Sequence, residues 1–199
     1  MLYRIGRQIA RVGMKLLFDV RVEGIENIPS QGPLVVCANH ISWWDPVLLA
    51  WVMPWPVHFM AKKELFNNGL MAFLLTKLHA FPVNRGKADV GAIRTGLSVL
   101  EAGQVVGVFP EGTRQKPPDK LGPGHGGAAL LAIKTGARVL PVAIRGKYGF
   151  RSVIKVACGV PFEIKGGTGR LSTDVQEGSL QVMEAIKHLW ETLGSDEPA

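Results

Sequence analysis

Cysteine is nearly absent: the 199 residues hold only Cys37 and Cys158. Both sit in apolar runs and read as reduced core thiols, not a disulfide, which points to a reducing compartment. No Cys/His spacing fits a zinc site, and no carboxylate cluster is placed for Mg²⁺, so neither a metal nor a cofactor is expected. A Walker loop is missing as well, which argues against phosphoryl transfer from a nucleotide. Aromatics make up 8% of the chain and are not interleaved with its basic residues. With no nucleic-acid-binding motif either, nucleic acid is excluded as the expected partner. Long apolar runs are also lacking. No window of about 18 uncharged apolar residues occurs, so no spanning helix is expected. Residues 47–60 come nearest, but Pro54, Pro56 and His58 break them. In the basic N-terminal stretch Arg4, Arg7, Arg11 and Lys15 interrupt the apolar residues, so no signal peptide is expected.

What is present is a folded composition: 47% apolar residues, with 24 Gly and 13 Pro. The length suits one well-buried α/β domain and is short for two. Net charge is +7 and unevenly spread. Residues 171–199 hold six acids against Lys187, a net −5, which leaves +12 on residues 1–170. That basic portion calls for an anionic partner, a membrane surface or a phosphorylated substrate.

Residues 2–17 predict an amphipathic helix. Leu2, Ile5, Ile9, Val12 and Leu16 recur at spacings of three and four, as do Arg4, Arg7, Arg11 and Lys15. At about 100° per residue the two sets fall on opposite faces. The pattern suits a helix lying on an anionic membrane; the plainer alternative is a helix packed on the domain with a solvated basic face. Residues 18–23 alternate apolar and polar as an edge-like strand. Further strands are expected at 34–38, 57–61, from 81, 105–109, 139–144 and 153–157. Helices are expected at 47–52, 69–78, 89–102, 128–135 and 180–193. Asp89 reads as an N-cap and Gly103 as the residue closing the same helix. This alternation predicts a largely parallel sheet flanked by helices.

The strand at 34–38 runs straight into Asn39-His40, with Asp45-Pro46 one turn later. Open α/β sheets place their sites at such carboxyl ends. Pro46 suits the first turn of a helix and Asp45 its N-cap. Asp45 opposite His40 would fix the imidazole tautomer and leave the other ring nitrogen to act as a base. The pair alone leaves open whether an acyl or a phosphoryl group is transferred, or none. Two more strand ends carry charge, Arg85 on one and Glu111 with Arg114 on the other. A guanidinium pairs bidentately with phosphate oxygens, so arginines beside a base suggest a phosphate-bearing substrate. Glu111 is positioned to orient Arg114 or to hold a substrate hydroxyl. No nucleophile is well placed: Cys37 falls inside the strand, and Ser42 lacks a nucleophile elbow. The expected chemistry is direct attack by a substrate hydroxyl that His40 deprotonates.

Four blocks occur in order: Asn39-His40-(four residues)-Asp45, Ala80-Phe81-Pro82-Val83-Asn84-Arg85-Gly86, Phe109-Pro110-Glu111-Gly112-Thr113-Arg114, and Val139-Leu140-Pro141-Val142-Ala143-Ile144. Together they resemble the glycerolipid acyltransferases, the family of the lysophosphatidic acid acyltransferases, over roughly residues 20–165. The resemblance implies an α/β, glycerol-phosphate acyltransferase-like fold. It implies transfer of a fatty acyl group from acyl-CoA or acyl-carrier protein to lysophosphatidic acid, with no covalent intermediate. His40 would be the base and Asp45 its partner. Arg85 and Arg114 would bind the acceptor phosphate, with Glu111, Gly112 and Thr113 beside it, and residues 139–144 would line the acyl or acceptor side. Two departures stand out. Asn84 replaces a common Asp, and the loop after Arg114 lacks the usual Phe-Lys-type pair.

The expected organisation is a membrane-surface helix at 1–17 and one catalytic domain at 18–199. The expected place is the cytoplasmic face of the cell membrane, peripheral or monotopic. Rival readings are another glycerophosphate or lysophospholipid acceptor, a thioesterase, and a non-catalytic lipid-binding module. Trp43, Trp44, Trp51 and Trp55 read equally as core packing and as an interfacial belt or acyl-channel wall. His125 reads as an exposed loop residue.

Overall fold

The computed structural model describes residues 2–84, 89–116 and 120–194, without the side chains of residues 2–5 and 9–11. Seven strands form one sheet: β1 Phe18–Glu23, β2 Leu34–Ala38, β3 Val57–Lys62, β4 Phe81–Val83, β5 Val105–Val108, β6 Arg138–Gly146 and β7 Ser152–Cys158. Six helices accompany it: α1 Leu2–Leu17, α2 Asp45–Val52, α3 Gly69–Lys77, α4 Val90–Glu101, α5 Gly127–Thr135 and α6 Leu171–Thr192. The strand order is β1-β7-β6-β2-β5-β3-β4. From β6 to β4 every neighbouring pair is parallel, while β7 runs antiparallel to β6 and β1 parallel to β7. The expected largely parallel sheet is thus present, with its reversed pair at one end and β1 at that edge.

β2 lies between β6 and β5, and all five of its residues are inaccessible to solvent. Its uninterrupted apolar sequence follows from that, because a parallel strand covered on both faces has no polar side to show. One face carries a core of Val36, Leu48, Leu49, Met53, Leu140 and Ile154 under α1 and α2; the other packs Val35, Val106, Leu131, Val139 and Ile186 against α4, α5 and α6. Cys37 and Cys158 are buried and unpaired, and Ile144 and its neighbours in the 139–144 block are core. That block holds the sheet together and does not line an open surface.

Two expectations change. The last helix starts at Leu171, nine residues before the expected start. Residues 171–179 lack an apolar stripe, and Gly178 reads as a breaker. In the fold, a Cβ at Gly178 would stand 2.6 Å from Ile164 Cγ2, so glycine permits the close packing of α6 here.

The second change is in α1. Its described cations do not share one solvated face. Arg7 turns inward and donates from Nη1 to Pro54 O at 2.8 Å and from Nη2 to Met53 O at 2.6 Å. These carbonyls lie just past the end of α2, where the helix dipole and unpaired acceptors favour a cation. Met14 is buried near Arg7 on the wheel, whereas Val12, Lys15 and Leu16 face outward. The apolar stripe therefore points away from the domain where it is described. Arg4, Arg11, Leu2, Ile5 and Ile9 have side chains outside the described part.

Candidate active site

His40 follows the end of β2, and its ring is held from two directions. Nδ1 stands 2.8 Å from Asp45 Oδ2. The ring stacks on Phe109 with centroids 4.1 Å apart and planes 18° apart, and Phe109 stacks in turn on Phe59. Phe59 has room because Gly107 faces it on β5, where any Cβ would overlap the phenyl ring. The main chain of His40 is fixed as well: its N–H donates to Glu111 Oε2 at 2.8 Å, and its carbonyl accepts from Gln115 N at 2.8 Å.

Asp45 begins α2 without capping it. Its Oδ2 accepts from Ile41 N and Ser42 N, each at 2.7 Å, as well as from the imidazole. Its Oδ1 accepts from Tyr148 Oη at 2.7 Å. The expected N-cap role gives way to a bracing one, because the carboxylate turns back over the loop that carries His40. Four donors thus converge on this buried carboxylate. An oxygen that accepts from two backbone N–H groups faces the imidazole as an acceptor too, which places the proton on Nδ1 of His40 and the free lone pair on Nε2.

Glu111 is 2% exposed, with one oxygen on His40 N and the other accepting from Gly122 N at 2.9 Å. Burial pushes its carboxyl above the ordinary glutamate range, against the two backbone N–H bonds. Its partners are therefore backbone N–H groups rather than the expected Arg114. Instead it ties the β2 and β5 strand ends to the loop at 122. Gly112 takes φ +67°, and a Cβ there would stand 3.0 Å from the His125 ring, so the turn needs glycine. Thr113 and His125 are exposed. Arg114 lays its guanidinium over Trp43, 4.0 Å from the ring centroid. It therefore stands beside the His40 loop, preoriented by a cation–π contact.

Arg85 lies outside the described residues. Its block begins on β4, three places from β2 in the strand order. At about 4.8 Å per strand, β4 itself lies roughly 14 Å from β2 along the sheet. The four tryptophans divide: Trp51 and Trp55 pack against the core, while Trp43 and Trp44 are 61% and 41% exposed.

Three contributors were not foreseen. Asn39 continues the β2–β6 pairing with its side chain, donating from Nδ2 to Ile144 O and accepting from Ile144 N. Phe109 supplies the ring beneath His40, and Tyr148 the fourth donor to Asp45. A tyrosine just past β6, the strand beside β2, was the available signal for the last. A cleft of about 450 Å³ lined by Trp55, His58, His79 and Gln104 lies at the opposite edge, away from this cluster.

A family model described as Acyltransferase matches residues 19–145. The chain belongs to the acyltransferase family. Among relatives, a 1-acyl-sn-glycerol-3-phosphate acyltransferase of Bacillus subtilis is 33% identical over 155 residues, covering 77% of this chain and 76% of its own. A lyso-ornithine lipid O-acyltransferase of Pseudomonas aeruginosa is 35% identical over 137 residues, covering 68% of this chain and 51% of its own. The crystal structure of the 1-acyl-sn-glycerophosphate acyltransferase PlsC from Thermotoga maritima superposes with a TM-score of 0.80 at 28% identity, over 99% of this chain and 81% of that one. The acyltransferase carries its His40–Asp45 pair, its Glu111 brace and Arg114 at one edge of the sheet.

Proposed function

We propose that this acyltransferase moves a fatty acyl group from a thioester, acyl-CoA or acyl-carrier protein, to the free hydroxyl of lysophosphatidic acid, forming phosphatidic acid for phospholipid synthesis. The observation that carries the reading is the 2.8 Å contact between His40 Nδ1 and Asp45 Oδ2, which supports Nε2 as the base. Nε2 takes the proton of the acceptor hydroxyl as the oxygen attacks the thioester carbonyl. The tetrahedral intermediate collapses, its C–S bond breaks, and the thiolate leaves with the proton held by the imidazolium. Asp45 stabilises that imidazolium and never needs to change its own protonation. Arg114, held over Trp43, meets the acceptor phosphate, and Arg85 completes the clamp. Glu111, Gly112 and Thr113 shape the loop around it, with Glu111 as a positioning residue.

Residues 1–17 serve as the membrane-surface helix and residues 18–199 as the catalytic domain, at the cytoplasmic face of the cell membrane. Among the described residues no helix is long and apolar enough to cross a membrane. The outward Val12, Leu16 and Lys15 suit an interfacial helix, and Arg7 fastens that helix to α2. Binding to anionic vesicles should therefore weaken with salt, since charge attraction is screened over about 8–10 Å near physiological ionic strength.

The test is purified protein with labelled acyl-CoA and a panel of detergent-dispersed acceptors, read by product mass. Lysophosphatidic acid should be the best acceptor. The similarity to the lyso-ornithine lipid enzyme supports a second reading, and a lyso-amino-acid lipid acylated in preference would replace the first. Free fatty acid as the sole product would make the protein a thioesterase, and no product a binding module.

A further inference from the structure

Helix α3 has the sequence GLMAFLLTK, yet none of its residues is buried. Leu70 is 71% exposed and Phe73 52%, and Met71, Leu74 and Leu78 are each exposed by more than a third. Single exposed apolar side chains are ordinary, but four on one short helix and a fifth at its C-cap form a patch that water does not favour. Asn68 caps the helix by accepting from Met71 N at 3.1 Å, so its start is secured without tertiary packing.

The position of α3 is informative. Crossovers between parallel strands are right-handed. The β3-to-β4 crossover runs in the same direction along the sheet as β2 to β3, so α3 falls on the face that carries α2 and α1. Contact agrees: a Cβ on Gly6 of α1 would stand 3.1 Å from Leu78 Cδ2. One face of the molecule therefore presents Val12 and Leu16 from α1 and the apolar side chains of α3, with Trp43 and Trp44 at its catalytic edge.

Charge identifies what covers this face. α1 contains no acid, and between Asp45 and Asp89 the only acid is Glu64, which pairs with Lys62 at 3.2 Å. Lys15, Lys63 and Lys77 are exposed around the patch, and Lys77 leans over the Phe73 ring. Apolar side chains ringed by lysines match the interior and the anionic headgroups of a lipid leaflet. Nine residues rise about 13.5 Å, well short of a bilayer core, so the helix lies in the interface plane.

We propose that α3 is a second membrane-seating element, inserted beside α1 into the headgroup–acyl boundary of an anionic bilayer. It rests on the acyltransferase reading above, because a lipid acceptor requires the site to open at a bilayer. α1 contributes the charge-dependent part of binding, and α3 a part that salt does not remove.

The experiment places a cysteine at position 73, Phe73→Cys, and attaches an environment-sensitive fluorophore. Selective labelling is available because Cys37 and Cys158 are buried and burial raises both thiols, Cys158 to about 12. The probe is a vesicle of phosphatidylcholine with a minority of phosphatidylglycerol and nitroxide-labelled acyl chains. On vesicles the label should shift to the blue and be quenched by the nitroxides. Independently, Leu70→Ser with Leu74→Ser should weaken partitioning about tenfold or more, and the loss should persist in high salt. A label that stays in water while the protein cosediments overturns the role of α3 and leaves the α1 anchor standing. Absence of cosedimentation by the unmodified protein overturns both, while the detergent assay still reports acyl transfer separately. A blue shift without vesicles, with sedimentation showing a dimer, assigns the patch to a second copy of the chain and also overturns it.

Discussion

Tyr148 donates to Asp45 across 103 positions of sequence, at 2.7 Å, and so the carboxylate behind His40 is held from the end of a neighbouring strand. Burial and the adjacent Asp45 push the phenol above its ordinary range, so Tyr148 remains a donor at any working pH. Tyr148→Phe removes one of the four donors that hold the Asp45 carboxylate. Turnover should fall by roughly ten- to hundredfold, in line with about 1.5–3 kcal/mol for a hydrogen bond to a charged group. Unchanged turnover in a variant that melts at a lower temperature would mean that Tyr148 serves packing alone, through its edge contact with Phe18.

Glu111 should behave as a brace. In Glu111→Gln one carboxamide end is a donor, so it opposes either His40 N–H or Gly122 N–H, both of which now have an acceptor. Leaving a buried N–H unpaired costs about 1–3 kcal/mol. The variant should therefore lose stability in denaturant unfolding and lose kcat, with the acceptor KM changed little. A raised acceptor KM at unchanged stability would instead make Glu111 a substrate contact.

Arg114 and Trp43 should act as a coupled pair. Arg114→Lys keeps charge but loses both the planar fork and most of the stacking at 4.0 Å. The acceptor KM should rise by about tenfold and the donor KM little. Trp43→Ala should produce a smaller rise in the same parameter, and the double variant less than the product of the two. Additive effects would show that the stacking does not orient the guanidinium.

The far edge of the sheet predicts a pH dependence of stability unrelated to turnover. His58 and His79 meet edge-on at 4.7 Å, and burial holds both below the ordinary histidine range, with His79 adding to the effect on His58. The folded protein thus resists protonation that the unfolded chain accepts. Stability contributed here is full above the unfolded value of about 6.5 and is lost as pH falls through it. The melting temperature should drop between about pH 7.5 and 5.5, and His58→Gln should flatten that drop. An equal drop in the variant would assign it to other groups.

Local signals in the chain were readable, and distant ones were not. His40 and Asp45 are five positions apart on a strand–turn–helix, so their meeting follows from local geometry, as do the Asp89 cap and the positive φ of Gly103. The strand from 34 to 38 was legible because a doubly covered parallel strand leaves an unbroken apolar run. By contrast, the bond from His40 N to Glu111 spans 71 positions and depends on β5 lying beside β2, which no local pattern encodes. Glu111 was found by its block, but its direction was not. The same applies to Arg7: a helical wheel puts it among the cations of α1, while only the packing of α1 on α2 shows that it faces carbonyls. Helix α3 was legible as apolar, but an apolar helix normally implies burial. Its exposure is a property of the assembled fold.

The most direct measurement is the turnover of His40→Ala with labelled acyl-CoA and lysophosphatidic acid in detergent, beside a melting curve that establishes the variant is folded. Removing a general base should lower kcat by about 10²–10⁴-fold. Asp45→Asn should lose much of this as well, since an amide no longer holds Nδ1–H and the tautomer that frees Nε2. Near-wild-type turnover in folded His40→Ala would contradict base catalysis by His40, and with it the reading of this edge of the sheet as the place where acyl transfer occurs.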